Sequence, residues 1–183
     1  MSDDRWRGRF PRLYGLTHVA YAGCDVRYTV EPAPDHLVSR LHLVAVTAAG
    51  RVVVSRSVQG WRFLPGGTRE PGEPLTELAR RELVEEAGAT LLGEVRPFSG
   101  FAVRSREAAP YRAHLPHPHA HWLHAVAPVE VTGPPSCPDD GEQITEVLEL
   151  PPADAIAYLE VHDPVHADVL AHAVALGLVG PRG

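Results

Sequence analysis

From Pro74 the chain runs in helix formers until Gly88, with proline suited to a first turn and glycine to an ending. Leu75, Leu78, Ala79 and Leu83 recur at helical spacing and predict one apolar face. Glu82 stands seven residues after Leu75, four after Leu78 and three after Ala79, so the spacing turns it toward that face. Glu85 and Glu86 follow it at i+3 and i+4. Like charges so close repel, and partial burial strengthens the repulsion. Either a carboxyl is protonated there, or a cation occupies the cluster. A hard divalent ion such as Mg²⁺ takes oxygen ligands and would neutralise it.

The preceding loop supports the second choice. Gly66-Gly67 lets the backbone approach closely, so that a main-chain carbonyl can join the side-chain oxygens. Arg81 has Glu77 and Glu85 one helical turn to either side, a placement that can orient a carboxylate.

Here the chain resembles the Nudix hydrolases. Their signature stands as Gly67, five residues, Glu73, seven residues, then Arg81-Glu82-Leu83-Val84-Glu85-Glu86-Ala87-Gly88-Ala89, with a small residue, Ala89, where a larger aliphatic is usual. Trp61-Arg-Phe-Leu-Pro-Gly-Gly67 looks like the family's entry to this box. The resemblance implies an α/β fold, a Nudix-type α/β/α sandwich with a curved mixed sheet, mostly antiparallel, and a loop-helix-loop catalytic motif. It implies hydrolysis of a diphosphate bond in a nucleoside diphosphate linked to another moiety, with Mg²⁺ or Mn²⁺ as cofactor. Carried over, Glu82, Glu85 and Glu86 look like metal ligands, and Gly66 is similar to the residue whose carbonyl completes the site. Glu82, Glu85 and Arg81 belong to the catalytic set; Gly67 and Glu73 support it. A binding-only nucleotide sensor on the same fold is the alternative, and the intact glutamate set argues against it.

Many family members bring one more acid from a loop opposite the box. The segment Asp139 to Glu146 occupies that place, with Glu146 favoured and Glu142 the alternative if the loop folds inward, the role being general base or ligand to a metal that arrives with substrate. Trp61 and Tyr111 are candidates to stack on a nucleobase. Marks of particular substrates are missing: no proline near Arg104, no tyrosine at the dinucleoside-polyphosphate distance, and only Ser55-Arg56-Ser57 of a coenzyme A signature.

The remaining elements fit a mixed sheet with helices outside it. Strands are expected at Val26 to Val30, Leu41 to Thr47, Arg51 to Ser55, Thr90 to Leu92, Phe98 to Val103, Trp122 to Val131 and Gln143 to Leu150. Helices are expected at Ala153 to Leu159 and Pro164 to Leu178, the latter capped by Asp163. Residues 1–40 read as an N-terminal extension and 41–183 as the hydrolase domain, its box at 67–89. The strand at Val26 could pair across a homodimer. His114, His117, His119, His121 and His124 alternate without metal-ligand spacing or a cysteine partner, and read as pocket wall or surface. His162-Asp163 with His166 and Asp168 reads as a cap and first helical turn rather than a phosphohydrolase motif.

A net charge of −6 argues against nucleic-acid binding driven by bulk electrostatics. The sequence has no run of the roughly 20 apolar residues that would cross a membrane. Two cysteines and a polar N-terminus suggest a cytoplasmic protein, and the resemblance implies a small-molecule nucleotide as partner.

Overall fold

The computed structural model describes residues 4–138, 141 and 143–180. Two short helices, α1 (Asp4–Arg7) and α2 (Pro11–Gly15), lead into strands β1 (His18–Val19) and β2 (Cys24–Thr29). The hairpin strands follow as β3 (Val38–Val46) and β4 (Val52–Ser57), then the short strands β5 (Arg62–Phe63) and β6 (Gly66–Thr68). Helix α3 (Leu75–Ala87) precedes β7 (Ala89–Leu91), β8 (Arg96–Ser105), β9 (His119–Val131) and β10 (Ile144–Leu150). Helices α4 (Pro152–Glu160) and α5 (Pro164–Ala175) close the fold.

The main sheet runs in the order β1-β2-β8-β9-β3-β4-β10. Every described pairing in it is antiparallel except β3 with β9, which is parallel. Strand alternation gives each face its own core. Leu41, Leu43 and Ala45 of β3 and Val53 of β4 pack with Leu78, Ala79 and Leu83 of α3. Val44 and Val46 of β3 with Val52 and Val54 of β4 pack on the other face, against Leu159 of α4 and Val169, Leu170 and Ala173 of α5. Helices thus lie on both sides of the sheet, an α/β/α sandwich.

The hairpin holds together only near its turn. β3 and β4 pair at Ala45↔Val53 and Val46↔Val52. Beyond that they part, because β3 takes β6 as its neighbour at residues 40–42 while β4 takes β5 at residues 55 and 56. The opening lets the end of α3 communicate with the opposite face.

Residues before β3 are built into the same core. Trp6, Phe10 and Leu13 are buried beside α5, and β2 pairs along β8 from Cys24↔Ser105 to Thr29↔Gly100. The expected terminal helix ends three residues early, at Ala175, where Gly177 adopts a left-handed conformation (φ 72°). Its cap is as expected: the Asp163 side chain accepts the His166 amide at 3.0 Å.

Candidate active site

α3 carries its glutamates at the rim of its buried face. Glu82 and Glu86 are buried, while Glu85 is half-buried. Burial pushes the Glu82 carboxyl up to about 7, with the Glu85 charge adding to the rise and Arg81 opposing it. Burial is the main cause, and the repulsion anticipated from the spacing adds to it.

Arg81 is the hub that holds the cluster. Its guanidinium donates to Glu73 at 2.9 and 3.2 Å, to Glu82 at 2.8 Å, to Glu85 at 3.2 Å and to the Thr68 carbonyl at 3.0 Å. Hydrogen bonding to Glu73 raises the arginine further above its ordinary range. Burial pushes the Glu73 carboxyl up, but bonds from Arg81 and the Glu70 amide outweigh it and leave the group below its usual value. Glu77 is not part of this hub; it pairs with Arg80 instead.

The glycine loop fits tightly over α3. A Cβ at Gly67 would collide with the Glu82 carboxylate, and one at Gly66 (φ 156°) with the backbone of Leu41 and His42. The Gly66 amide donates to Glu86 Oε2 at 2.8 Å. Ser55 of β4 donates to the Glu86 carbonyl at 2.7 Å, fixing the helix end against the sheet.

On the far side of the parted strands lies a cleft of about 870 Å³, lined by Gly66 and Glu86 together with Trp61, Arg62, His42, His124, His166 and Asp163, among others. Trp61 is half-exposed there and can offer its ring to a ligand. Tyr111 is exposed in an adjoining pocket with Cys24 and Trp122 and does not line the cleft that holds Trp61. Glu146 pairs with Arg56 and therefore shares the sheet face opposite α3, where its carboxylate accepts the Tyr158 hydroxyl of α4 at 3.1 Å. Tyr158 in turn stacks under Arg62, one of the cleft residues. Glu142, Asp139 and Asp140 lie outside the described residues.

The cleft histidines had no local signal. Of the five in the 114–124 run, His114 and His117 engage the carbonyls of Arg69 and Glu107, and His124 alone lines this cleft. His42 and His166 join it only because β3 and β9 pair with His42 opposite His124 and α5 starts above them. Burial, then neighbouring imidazoles, hold His42 and His124 well below the usual histidine value.

The carboxylates of α3 and the glycine loop thus lie beside a cleft through a parted sheet, and the fold around them is that of one family of hydrolases. The NUDIX domain model matches residues 36–173, and the chain belongs to that family of hydrolases. Among solved structures it is similar to a Nudix hydrolase from Nitrosomonas europaea, 16% identical with a TM-score of 0.55, over 79% of this chain and 93% of that one. It is also similar to the pyrophosphohydrolase BsRppH of Bacillus subtilis, 17% identical with a TM-score of 0.51, over 68% and 70% of the respective chains. At such identities the likeness is one of fold. No curated protein sequence matches the chain. Among the described residues no helix is long and apolar enough to cross a membrane.

Proposed function

We propose that the chain hydrolyses the diphosphate bond of a nucleoside diphosphate linked to another moiety, a nucleotide sugar, a nucleoside triphosphate or a related compound, using Mg²⁺ or Mn²⁺. The observation that carries this reading is the Glu82, Glu85 and Glu86 set, held by Arg81 and Gly66, with Glu86 reaching the cleft. The donor set suits such an ion. It is all oxygen, it is in excess of the positive charge available, and burial makes its own ionisation costly. Glu82, Glu85 and Glu86 with the Gly66 carbonyl would hold the metal. When bound, the ion polarises the phosphoryl oxygens and acidifies a water.

The chain's own residues do the positioning. Arg81 keeps Glu82 and Glu85 aimed, and Glu73 keeps Arg81 from swinging toward the ion. Trp61 can stack on a base at the cleft mouth. Glu82 and Glu146 are the two candidate bases, the first as one of the box carboxylates, the second because it stands on the cleft's face of the sheet. The two described cysteines are free, as a reducing cytoplasm would leave them. A homodimer through the β2 edge belongs to the same proposal, since β1 and the Thr17 carbonyl before it cover that edge only from Cys24 to Val26. A monomer mass by sedimentation at tens of micromolar would count against the dimer.

The test is release of nucleoside monophosphate from a panel of nucleotide sugars, triphosphates, dinucleotides and ADP-ribose, with and without Mg²⁺ or Mn²⁺. Metal-dependent release from one class supports the reading. Tight binding of a panel member with no release would favour the sensor instead.

A further inference from the structure

We propose that His42, His124 and His166 form a second metal site, distinct from the carboxylate set, that takes a borderline-soft divalent ion such as Zn²⁺ with one coordination position open to the cleft.

The three side chains come from β3, β9 and α5, and one ligand atom from each lies within 4.8 Å of the others. Nitrogens around a tetrahedral Zn²⁺ lie about 3.4 Å apart, given Zn–N bonds of roughly 2.0–2.1 Å. The rings therefore need to close by about an ångström, which rotation about side-chain torsions supplies. His42 and His166 already stand with ring centroids 4.4 Å apart.

What distinguishes this group from buried packing histidines is the outer set of partners. His124 Nδ1 is engaged by Ser99 Oγ at 3.1 Å, which leaves Nε2 to face an ion. The Asp163 carboxylate lies 2.8 Å from His166 Nδ1, within reach of the carboxylate–imidazole pairing that orients metal-bound histidines, though the ring's angle here makes no hydrogen bond. His42 Nδ1 is buried with no hydrogen-bond partner. A buried ring nitrogen without a partner, beside two further imidazoles, is costly without a ligand.

Donor chemistry separates the two sites. Imidazole nitrogens suit Zn²⁺ and its transition-metal neighbours, whereas the carboxylates suit Mg²⁺ or Mn²⁺. Three protein ligands with an open position is the arrangement of reactive rather than structural zinc. Gly66 lies directly across from His42 in the β6–β3 pairing, so both sites look into one cleft. The open position can then receive an oxygen of an anionic substrate or a water. The histidine site does not depend on the diphosphate reading.

The experiment uses untagged full-length protein, stripped with chelator and titrated with Co²⁺ and Zn²⁺ in excess Mg²⁺, which occupies the carboxylates. The expected result is one equivalent of Co²⁺ bound with the visible bands of a four-coordinate ion, and Zn²⁺ displacing it. His42→Gln and His166→Gln should each weaken binding at least a hundredfold, and Asp163→Asn by about ten- to a hundredfold. Glu85→Gln should leave the equivalent in place. Absence of the Co²⁺ bands in the wild-type protein overturns the proposal, whatever the variants do. So does retention of wild-type affinity in either histidine variant that circular dichroism shows to be folded, or loss of the bands in Glu85→Gln.

Discussion

The Gly66 amide and the Glu86 carboxylate meet at 2.8 Å, joining the glycine loop to the last turn of α3 through the opening between β3 and β4. The bond has a mechanical consequence. Glu86 is directed into the cleft while Glu82, one turn earlier, stays under Gly67. A single helix thereby serves both the buried support and the open side of the site.

Glu85→Gln and Glu86→Gln should each lower turnover by roughly a hundredfold or more at saturating Mg²⁺ while leaving the fold intact. Each change removes a charge from a cluster that repels itself, and the amide retains an oxygen for Gly66 or Arg81. Steady-state kinetics with far-ultraviolet circular dichroism checks both halves. Unchanged turnover in both variants would detach these residues from the chemistry.

Arg81→Ala should destabilise the metal-free protein by about 2–4 kcal/mol, because it strips the counter-charge from a buried carboxylate. Adding Glu82→Gln should recover a good part of that loss, since the two residues are in contact and their effects couple. Denaturant titration of the two singles and the double measures the coupling. Strict additivity would mean that Arg81 acts through Glu73, Glu85 and the Thr68 carbonyl and not through Glu82.

Glu82→Gln by itself should stabilise the metal-free protein at pH 8 and change little at pH 4. The sign follows from a folded-state value of about 7 against an unfolded 4.5. Folding then favours the protonated carboxyl, so its contribution is intact below pH 4.5 and is lost as pH rises toward 7. The full difference is on the order of 3 kcal/mol, and a bound divalent ion should erase it. Melting temperatures across pH 4 to 8, with chelator and with Mg²⁺, check it; a flat difference would place Glu82 in a better-solvated setting.

The sequence exposes some of these relationships and conceals others for physical reasons. The carboxylate helix, its Gly88 ending, the β3–β4 hairpin and the Asp163 cap rest on local spacing, and local spacing is legible. Asp163 reads as a cap from sequence because its chain neighbours decide that role; its second contact, with the His166 ring, needs the folded first turn. His42 and His124 stand 82 residues apart in the chain, and only the parallel β3–β9 register brings them opposite one another. Likewise Trp6, Phe10 and Leu13 carry no amphipathic period long enough to betray α1 and α2, which are short and held by burial against α5. Pro110 to Pro118, rich in proline and histidine, gives no periodicity at all, so the start of β9 at His119 falls earlier than the apolar run suggests.

The choice between Glu82 and Glu146 as base can be made by pH profile. Glu146 accepts the Tyr158 hydroxyl at 3.1 Å on the cleft's face of the sheet, and burial followed by that carboxylate raises the tyrosine above its ordinary value. Removing the charge with Glu146→Gln leaves an amide oxygen for Tyr158, so the local packing should survive. If Glu146 takes the proton from the attacking water, Glu146→Gln should lower turnover about a hundredfold or more across the whole range. If Glu82 does, Glu146→Gln should keep the wild-type acidic limb within a few-fold in rate, while Glu82→Gln abolishes it. Turnover at saturating metal from pH 6 to 10 distinguishes the two. Should both variants keep the full rate and the same profile, neither carboxylate is the base, and the water is activated by the metal alone.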